Sequence, residues 1–439
     1  MSGGGQALAE GLYEKLTDEE DARVCEDIGE DACHATPRSF VLLLCSYLFT
    51  KLGDAVASPK TTLTWVCNVL GTPVFVIGFL VPIRESGSML PQLFIGGFIR
   101  QLALRKWVWV LGSVVQGLAI AGIGVTAFLL EGATAGWAIL ALIVLFSLAR
   151  GFCSVAAKDV MGKTIAKPSR GQLTGWSAGV AGLVTLVVGA VLMTPAGGAL
   201  DAGALGWLLL GAGLLWLVAA SIYAQVPEYR GATDGGRNAL ESLGRLRLLD
   251  SDAPFRRFVV TRALLMCSAL SAPFYVALAQ GALGSPGWLL GAFIAAGGLA
   301  SLVSAPVWGR FADASSRNVM IAAAVITSGI GLLTFALDRL APGVAGSGWY
   351  LPLAFFVLSV AHSGVRVGRK TYVVNLGTGN RRTDYVAIGN SVIGLLLLLA
   401  GFVGVLAPLI GNAGVIAVLA GMGLIGAVNG TRLPELERG

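Results

Sequence analysis

Apolar stretches of about 20 residues recur along nearly the whole 439-residue chain, separated by short breaks rich in Gly, Pro and charge. A stretch of that length spans roughly 30 Å of hydrocarbon as a helix, which satisfies its own backbone hydrogen bonds inside a bilayer. Charged residues make up 13% of the chain, whereas soluble proteins contain about 25%. The chain is therefore predicted to be an all-α integral membrane protein that contacts the lipid bilayer directly.

The breaks between the apolar stretches predict twelve transmembrane helices, numbered here as spans 1 to 12. Their approximate ranges are 39–60, 69–97, 107–130, 135–157, 172–194, 204–225, 257–280, 287–309, 318–338, 349–370, 384–408 and 412–430. Most basic loop residues follow the even-numbered spans, whereas the other loops carry little beyond Lys60 and Arg339. The positive-inside rule then predicts that both termini are cytosolic, in a bacterial inner (plasma) membrane.

The net charge of +6 comes from basic residues spread over many short loops, so no nucleic-acid partner is predicted. Residues 1–38 are polar and acidic and are predicted to form a cytosolic tail. Cys25, Cys33 and His34 match no zinc or haem spacing, so neither a metal nor a cofactor is expected. No catalytic group is predicted either, because the sequence lacks an H-E-x-x-H motif, a Walker loop and a Ser/His/Asp set.

The sequence also matches itself when it is shifted by 212 residues. The shift places Gly97 on Gly309, Arg105 on Arg317, Lys158 on Lys370 and Arg170 on Arg382. This repeat predicts two related six-helix bundles, 39–225 and 257–430. They are joined by a cytosolic linker, 226–256, with an amphipathic helix, and are followed by a short tail, 431–439.

Two parallel six-helix halves with both termini on one side resemble the major facilitator superfamily of secondary transporters. That family carries a G-x-x-x-D-x-x-G-R-[KR] motif after its second helix and often a second copy after its eighth. Here the second copy has Gly309, Asp313 and Arg317, and the first keeps Gly97, Arg105 and Lys106 but has Gln101 in place of the acid. The resemblance implies a monomer in which these residues latch the cytosolic side shut. They could instead be topology anchors.

The resemblance further implies that spans 1, 4, 7 and 10 line a central cavity and that spans 2, 5, 8 and 11 help to shape it. Charged residues lie on these helices, whereas spans 3, 6, 9 and 12 have uncharged interiors. Intramembrane charges normally face protein or water, so we predict that these groups line the cavity. The predicted substrate-binding residues are Lys51, Arg84, Arg150, Arg262, His362 and Arg366.

The predicted cavity carries more basic than acidic groups, which favours a small organic anion as substrate. Asp54 and Glu85 are the predicted proton carriers, because an anion that binds Lys51 or Arg84 would free a carboxylate to take a proton. Permanent Arg84–Glu85 and Lys51–Asp54 bridges are the structural alternatives. Arg262 could likewise be an anchor at the start of its helix, together with Arg256 and Arg257.

The predicted function is proton-coupled transport of this solute by alternating access. A proton-coupled drug or metabolite efflux antiporter is the first alternative, because "LARGFCSVAA" and the pair Gly175 and Gly179 partly match efflux motifs. Val180 stands where the efflux motif has proline. A transport-inactive sensor or assembly factor is the second alternative, suggested by the weakened first latch motif.

Overall fold

The computed structural model describes residues 3–16, 30–91, 95, 98–99, 101–194, 200–230, 247–376 and 380–436, and these residues are overwhelmingly helical. In the first half, the helices are α1 Gly3–Leu16, α2 Glu30–His34, α3 Thr36–Val56, α4 Thr62–Val69, α5 Val74–Met89, α6 Lys106–Leu129, α7 Gly132–Thr164, α8 Lys167–Leu192 and α9 Ala202–Tyr223. In the second half, they are α10 Leu248–Ser251, α11 Ala253–Leu264, α12 Cys267–Leu270, α13 Ala272–Leu283, α14 Gly287–Leu340, α15 Pro342–Ala345, α16 Tyr350–Leu376, α17 Asn380–Ala400 and α18 Ala407–Thr431.

The predicted all-α membrane architecture is confirmed. Ten ranges of the described residues are long and apolar enough to cross a bilayer. One of them, Tyr385–Thr431, contains most of α17 and all of α18. A 3₁₀ turn separates these two helices, and α18 is kinked at Gly411. The 16-residue α5 stands in the place of span 2. Spans 8 and 9 form the continuous α14, which is kinked at Ser315.

The first helix of each bundle is interrupted, and these interruptions were not predicted from the sequence. Span 1 forms α3, and the chain continues beyond the predicted end of span 1 as α4, with Pro59 in the break between the two helices. Span 7 is divided into α11, α12 and α13, with Pro273 in the first turn of α13. Proline lacks the backbone N–H that would continue a helix, so both interruptions are encoded locally. The predicted start of span 2 at residue 69 is wrong, because Val69 ends α4 and α5 begins at Val74.

The two ends of the molecule differ in how the bundles pack. We call the end that holds Thr36 and Thr431 the proximal face, and the end that holds Leu70 the distal face. One hydrophobic core contains residues of both bundles, including Trp65 and Phe274. Nearer the proximal face, each bundle has its own core, around Tyr223 in the first bundle and Tyr372 in the second. The bundles are therefore joined distally and separate proximally.

Small residues allow the bundles to approach closely where they are joined. A Cβ atom added to Gly78 of α5 would lie 2.7 Å from the Cα of Gly404 in the other bundle. A Cβ atom on Gly189 of α8 would lie 2.4 Å from the backbone nitrogen of Ala295 in α14. Helices in a membrane associate through such close packing, because lipid supplies no hydrophobic force between them.

A hydrogen bond also crosses between the bundles on this side. The Asn68 side-chain amide donates to Gln280 Oε1 over 2.6 Å. These residues are 212 positions apart, so the bond connects equivalent positions of the two sequence repeats, on α4 and α13. It lies beside the end of α4, where the N–H of Gly132 donates to the carbonyl of Leu70 over 2.8 Å. The distal side is therefore closed by packing and by this polar contact.

Replacing Asn68 with Ala should favour opening of the distal side. The lost hydrogen bond is worth about 1 kcal/mol, which corresponds to a roughly fivefold larger open population. Double electron–electron resonance between spin labels at Glu131 and Leu340, on the two bundles, should show an increased long-distance component. Asn429→Ala is the matched control, because its amide bonds Thr261 within one bundle. Equal distance distributions in the two variants would refute the gating role.

Candidate functional site

A cavity of about 230 Å³ lies between the bundles. The first bundle contributes side chains from α5 and from the break between α3 and α4, and the second contributes residues of α11, α12, α16 and α17 with the turn before α12. Its lining residues are Lys60, Glu85, Met89, Arg262, Leu265, Met266, Ser268, Ala269, His362, Val365, Arg366, Arg369, Lys370, Ile393 and Leu397. The interrupted first helices of both bundles therefore help to form its wall.

The polar lining is strongly biased towards positive charge. Its basic side chains are Lys60, Arg262, Arg366, Arg369 and Lys370, and its acidic side chain is Glu85. The residues from α16, including His362, recur at intervals of three and four, so they share one face of the helix. This face and Arg262 give the second bundle most of the positive charge.

Arg262 is buried in the cavity wall, with 6% of its surface exposed. One Nη donates to Asn390 Oδ1 over 2.8 Å, and Nε has no hydrogen-bond partner. Arg256 and Arg257, by contrast, are exposed. The burial of Arg262 does not fit the alternative in which the three arginines anchor the helix end together. A buried guanidinium with an unused N–H group is instead suited to receive an anion.

The cavity cations have no close carboxylate partner among the described residues. The carboxylates that form ion pairs with the described basic residues, with N–O distances within 4.0 Å, are Asp54, Asp159, Glu228 and Glu435. Burying a cation without a partner is unfavourable, because the protein interior screens and solvates charge poorly. The cavity therefore has a positive potential that an anion would compensate.

Glu85 faces several of these cations without pairing closely with one of them. Its carboxylate lines the same cavity as Lys60 and Arg369. The alternative of a permanent Arg84–Glu85 bridge is wrong, because Arg84 pairs with Asp54. His362 also lines the cavity, and its Nδ1 lies 3.0 Å from Ser268 Oγ.

A second charge cluster lies within the first bundle. Asp54 Oδ1 accepts hydrogen bonds from Arg84 and from Arg150, both at 2.6 Å, and its Oδ2 accepts a 2.5 Å bond from Arg150. The Arg84 guanidinium also lies over the ring of Phe146, 4.1 Å from its centroid. The side chains of Asp54 and Arg150 are 20% and 35% exposed, so the cluster is only partly buried in the protein.

The cluster lies near the middle of the membrane-spanning helices. A Cβ atom on Gly53, next to Asp54, would contact the ring of Trp216, and one on Gly117 would lie 3.2 Å from Trp216 Cβ. Gly117 is close to the midpoint of α6, Lys106–Leu129. Asp54 is therefore far from either end of the bundle. A charged group at such a position needs partners within the protein.

Lys51 does not form the alternative bridge to Asp54, which is bound by the two arginines. Its Nζ instead donates to Ser177 Oγ over 2.8 Å and so connects α3 to α8. Lys51 is therefore not among the residues that line the cavity.

The structure divides the predicted substrate and proton residues into two groups. Arg262, His362, Arg366 and Glu85 line the cavity, whereas Arg84, Arg150 and Asp54 form the neighbouring cluster. Three cavity residues were not predicted from the sequence: Lys60, Arg369 and Lys370. The i, i+4, i+7, i+8 spacing from His362 to Lys370 was the available signal for the α16 residues.

The predicted latch residues of the first bundle bond within that bundle. Arg105 pairs with Asp159 over 3.0 Å, and the Lys106 ammonium donates to the carbonyls of Ala224 and Val226. Glu228, whose side chain is fully buried, accepts from the backbone N–H groups of Arg105 and Lys106 and pairs with Lys163. Gly97 lies outside the described residues. Glu228 thus provides a carboxylate in the region where Gln101 replaces the motif acid.

The second copy of the motif follows the same pattern. Arg317, the repeat equivalent of Arg105, pairs with Glu435 over 2.8 Å and donates to the carbonyl of Leu433 over 3.1 Å. Asp313 is exposed. Apart from its own helix, no described residue has an atom within 4 Å of a Cβ built on Gly309, so this motif glycine is not at a close helix–helix contact. In this conformation, these ion pairs connect helix ends within each bundle.

The fold is similar to solved structures of membrane transporters. The D-xylose-proton symporter matches 91% of this chain and 98% of its own, with a TM-score of 0.69 and 14% identity. The nucleoside transporter NupG, as its D323A mutant, has a TM-score of 0.68 at 14% identity, covering 90% of this chain and 99% of its own. The major facilitator superfamily proton:xylose symporter XylE, bound to 6-bromo-6-deoxy-D-glucose, has a TM-score of 0.58 at 14% identity. The match covers 91% of this chain and 97% of the XylE chain.

The chain has the major facilitator fold. No protein-family model matches its sequence, and no curated protein matches it. At 14% identity, the likeness to these structures concerns the path of the backbone. The chemistry of the major facilitator cavity in this chain has to be inferred from its own side chains.

Proposed function

We propose that this chain is a secondary active transporter that carries a small organic anion across the membrane by alternating access. The observation that carries the proposal is the cavity between the bundles, where five cations surround a single acidic side chain, Glu85. Such a site attracts anions and repels cations, and its arginines offer planar pairs of N–H donors for carboxylate or phosphate oxygens.

The size of the cavity favours a metabolite over a drug-like compound. Pockets for drug-sized ligands have volumes of about 300–1,000 Å³, whereas this cavity has about 230 Å³. The drug efflux alternative also requires a site that accepts varied, largely apolar compounds, whereas five of the lining side chains here are basic. A small anion fits both the volume and the sign of the site.

We assign the proximal face to the cytosol and the chain to the bacterial inner membrane as a monomer. The assignment rests on the basic loop residues, among them Arg105, Arg170 and Arg317, which follow the even-numbered spans. The shared distal core and the separate proximal cores then correspond to a state closed to the outside. Opening of the distal side to the outside would break the hydrogen bond between Asn68 and Gln280.

Proton coupling completes the proposal, with Glu85 and Asp54 as the carriers. Glu85 shares the cavity with the cations that would bind the substrate, so an arriving anion competes with it for their charge. A carboxylate that loses its positive neighbours to another anion takes up a proton more readily. The fold neighbour described as a D-xylose-proton symporter supports the proton as partner.

Purified protein reconstituted in liposomes tests the function directly. Counterflow should be measured for labelled carboxylates and phosphate esters, with neutral sugars and organic cations as comparison solutes and protein-free liposomes as blanks. We expect counterflow of at least one small anion, and accumulation when the outside is made acidic. Movement of sugars or cations without anions would overturn the anion assignment, and silence across the panel would favour the transport-inactive alternative.

A further inference from the structure

The number of charges around the cavity carries information about its ligand. With His362 neutral, the five basic side chains and Glu85 leave an excess of four positive charges in about 230 Å³. Arg366, Arg369 and Lys370 lie on one face of a single helix, at spacings where like charges repel. A ligand with one negative charge would leave most of this repulsion in place, and each further negative charge would relieve more of it.

The other lining side chains indicate that the ligand has a carbon skeleton. Seven of them are apolar: Met89, Leu265, Met266, Ala269, Val365, Ile393 and Leu397. These side chains come from both bundles, so apolar surface is available on either side of a bound molecule. A short aliphatic chain would bury apolar surface there, which favours an organic ion over a bare inorganic one.

The positive groups are also supplied from opposite sides of the cavity. Lys60 belongs to the first bundle and lines the cavity together with Glu85. Arg262 belongs to the second bundle and has a buried Nε without a hydrogen-bond partner. A molecule with an anionic group at each end could therefore be held by both bundles at once, whereas a monoanion would engage one side at a time.

We propose that the substrate is a small organic dianion, a short dicarboxylate or a phosphate monoester, held between Arg262 on one bundle and Lys60 on the other. The proposal rests on the proposed function and narrows its substrate class. Arg369 lines the same cavity as Glu85 and Arg262, so we assign it to the same anion site as a specificity-determining residue. Binding would join the two bundles through one ligand, as alternating access around a central site requires.

A set of four-carbon compounds tests the charge requirement at constant size. Succinate, butyrate, butane-1,4-diol and putrescine differ in the charge of their ends, and glycerol 3-phosphate with glycerol tests the phosphate form. Their dissociation constants for the purified full chain should be measured by calorimetry and by thermal shift, because a ligand of the folded state raises its stability. We expect at least one dianion to bind tenfold or more tightly than butyrate, with no binding of the diol or the diamine.

Three variants connect this preference to the cavity. Arg369→Gln should weaken dianion binding at least tenfold and butyrate binding less than threefold, and Arg369→Lys should retain most of the preference. Arg339→Gln is the matched control, because Arg339 is exposed at the distal end of α14. This variant should bind dianions as the wild type does. Melting curves without ligand identify a variant that fails to fold.

The outcomes separate the two proposals. Equal affinities for butyrate and the dianions, or no binding of any dianion, would overturn the dianion assignment while anion counterflow could still support the transporter. Binding of the diol or putrescine without any anion would overturn both. A preference for succinate alone or glycerol 3-phosphate alone would support the dianion and decide between its carboxylate and phosphate forms.

Discussion

Asp54→Asn should abolish proton-driven accumulation and lower the free energy of unfolding by about 3 kcal/mol. The Asp54 carboxylate holds Arg84 and Arg150 through bonds of 2.5–2.6 Å, so the amide would leave two neighbouring guanidinium groups without a counter-charge. Breaking a fully buried pair costs about 3–5 kcal/mol, and the partial exposure of Arg150 places this cluster at the lower end. Thermal melting and uptake under a pH gradient measure the two effects.

Asp338→Asn is the matched control for this variant. Asp338 lies near the distal end of α14, away from both charge clusters. The Asp338→Asn variant should therefore have the melting temperature and the transport activity of the wild type. If the free energy of unfolding of Asp54→Asn were within about 0.5 kcal/mol of that of the wild type, the two arginines would not depend on this carboxylate. Unchanged accumulation would remove Asp54 from the coupling mechanism.

Glu85→Gln should keep counterflow of the substrate but abolish its accumulation under a pH gradient. The glutamine removes the proton-carrying group from the cavity and leaves the surrounding cations able to bind an anion. Because Glu85 has no close ion-pair partner among the described residues, the change should also affect stability less than Asp54→Asn does. Counterflow and gradient-driven uptake in the same liposome preparation separate exchange from coupling.

Glu131→Gln provides the control for Glu85, because Glu131 is exposed at the start of α7. Full accumulation by Glu85→Gln would show that the carrier is elsewhere. Loss of both accumulation and counterflow would show that Glu85 is required for the transport cycle itself. The combined pattern of the Asp54 and Glu85 variants therefore distinguishes a structural carboxylate from a coupling one.

Much of the architecture could be predicted because the bilayer imposes strong constraints. Apolar stretches long enough to span it, and the 212-residue repeat, indicated twelve spans in two bundles. The absence of charge from the interiors of spans 3, 6, 9 and 12 indicated that the charged groups on the other spans face protein or water. Helix periodicity also placed His362 and Arg366 on the face that lines the cavity.

The interruption of span 1 could not be predicted from hydropathy. Span 1 was predicted to end at residue 60, so Lys60 was interpreted as a loop residue at the end of that span. In the structure, the chain turns between α3 and α4, and this turn places the Lys60 side chain in the cavity wall. The matching break before α13 shows that the first helix of each bundle is interrupted. A hydropathy average over about 20 residues does not detect a break of a few residues.

Ion-pair partners were the least predictable part of the site. Asp54 lies three residues from Lys51 but pairs with Arg84 and Arg150, which belong to other helices. Arg105 and Arg317 likewise meet Asp159 and Glu435, far along the chain. Such pairs depend on how helices rotate and pack, and the sequence spacing along one helix does not contain that information.

The reactivity of a cysteine in the cavity tests the central claim, which is that the bundles enclose a positive, water-accessible site. Met89→Cys places a thiol on the partly exposed lining of α5. Its modification by an anionic and a cationic methanethiosulfonate should be compared in inside-out and right-side-out vesicles, with the wild type as background. We expect at least tenfold faster reaction with the anionic reagent, from the cytosolic side, and protection by a bound substrate anion. Equal or faster reaction with the cationic reagent, or no reaction from either side, would contradict the account.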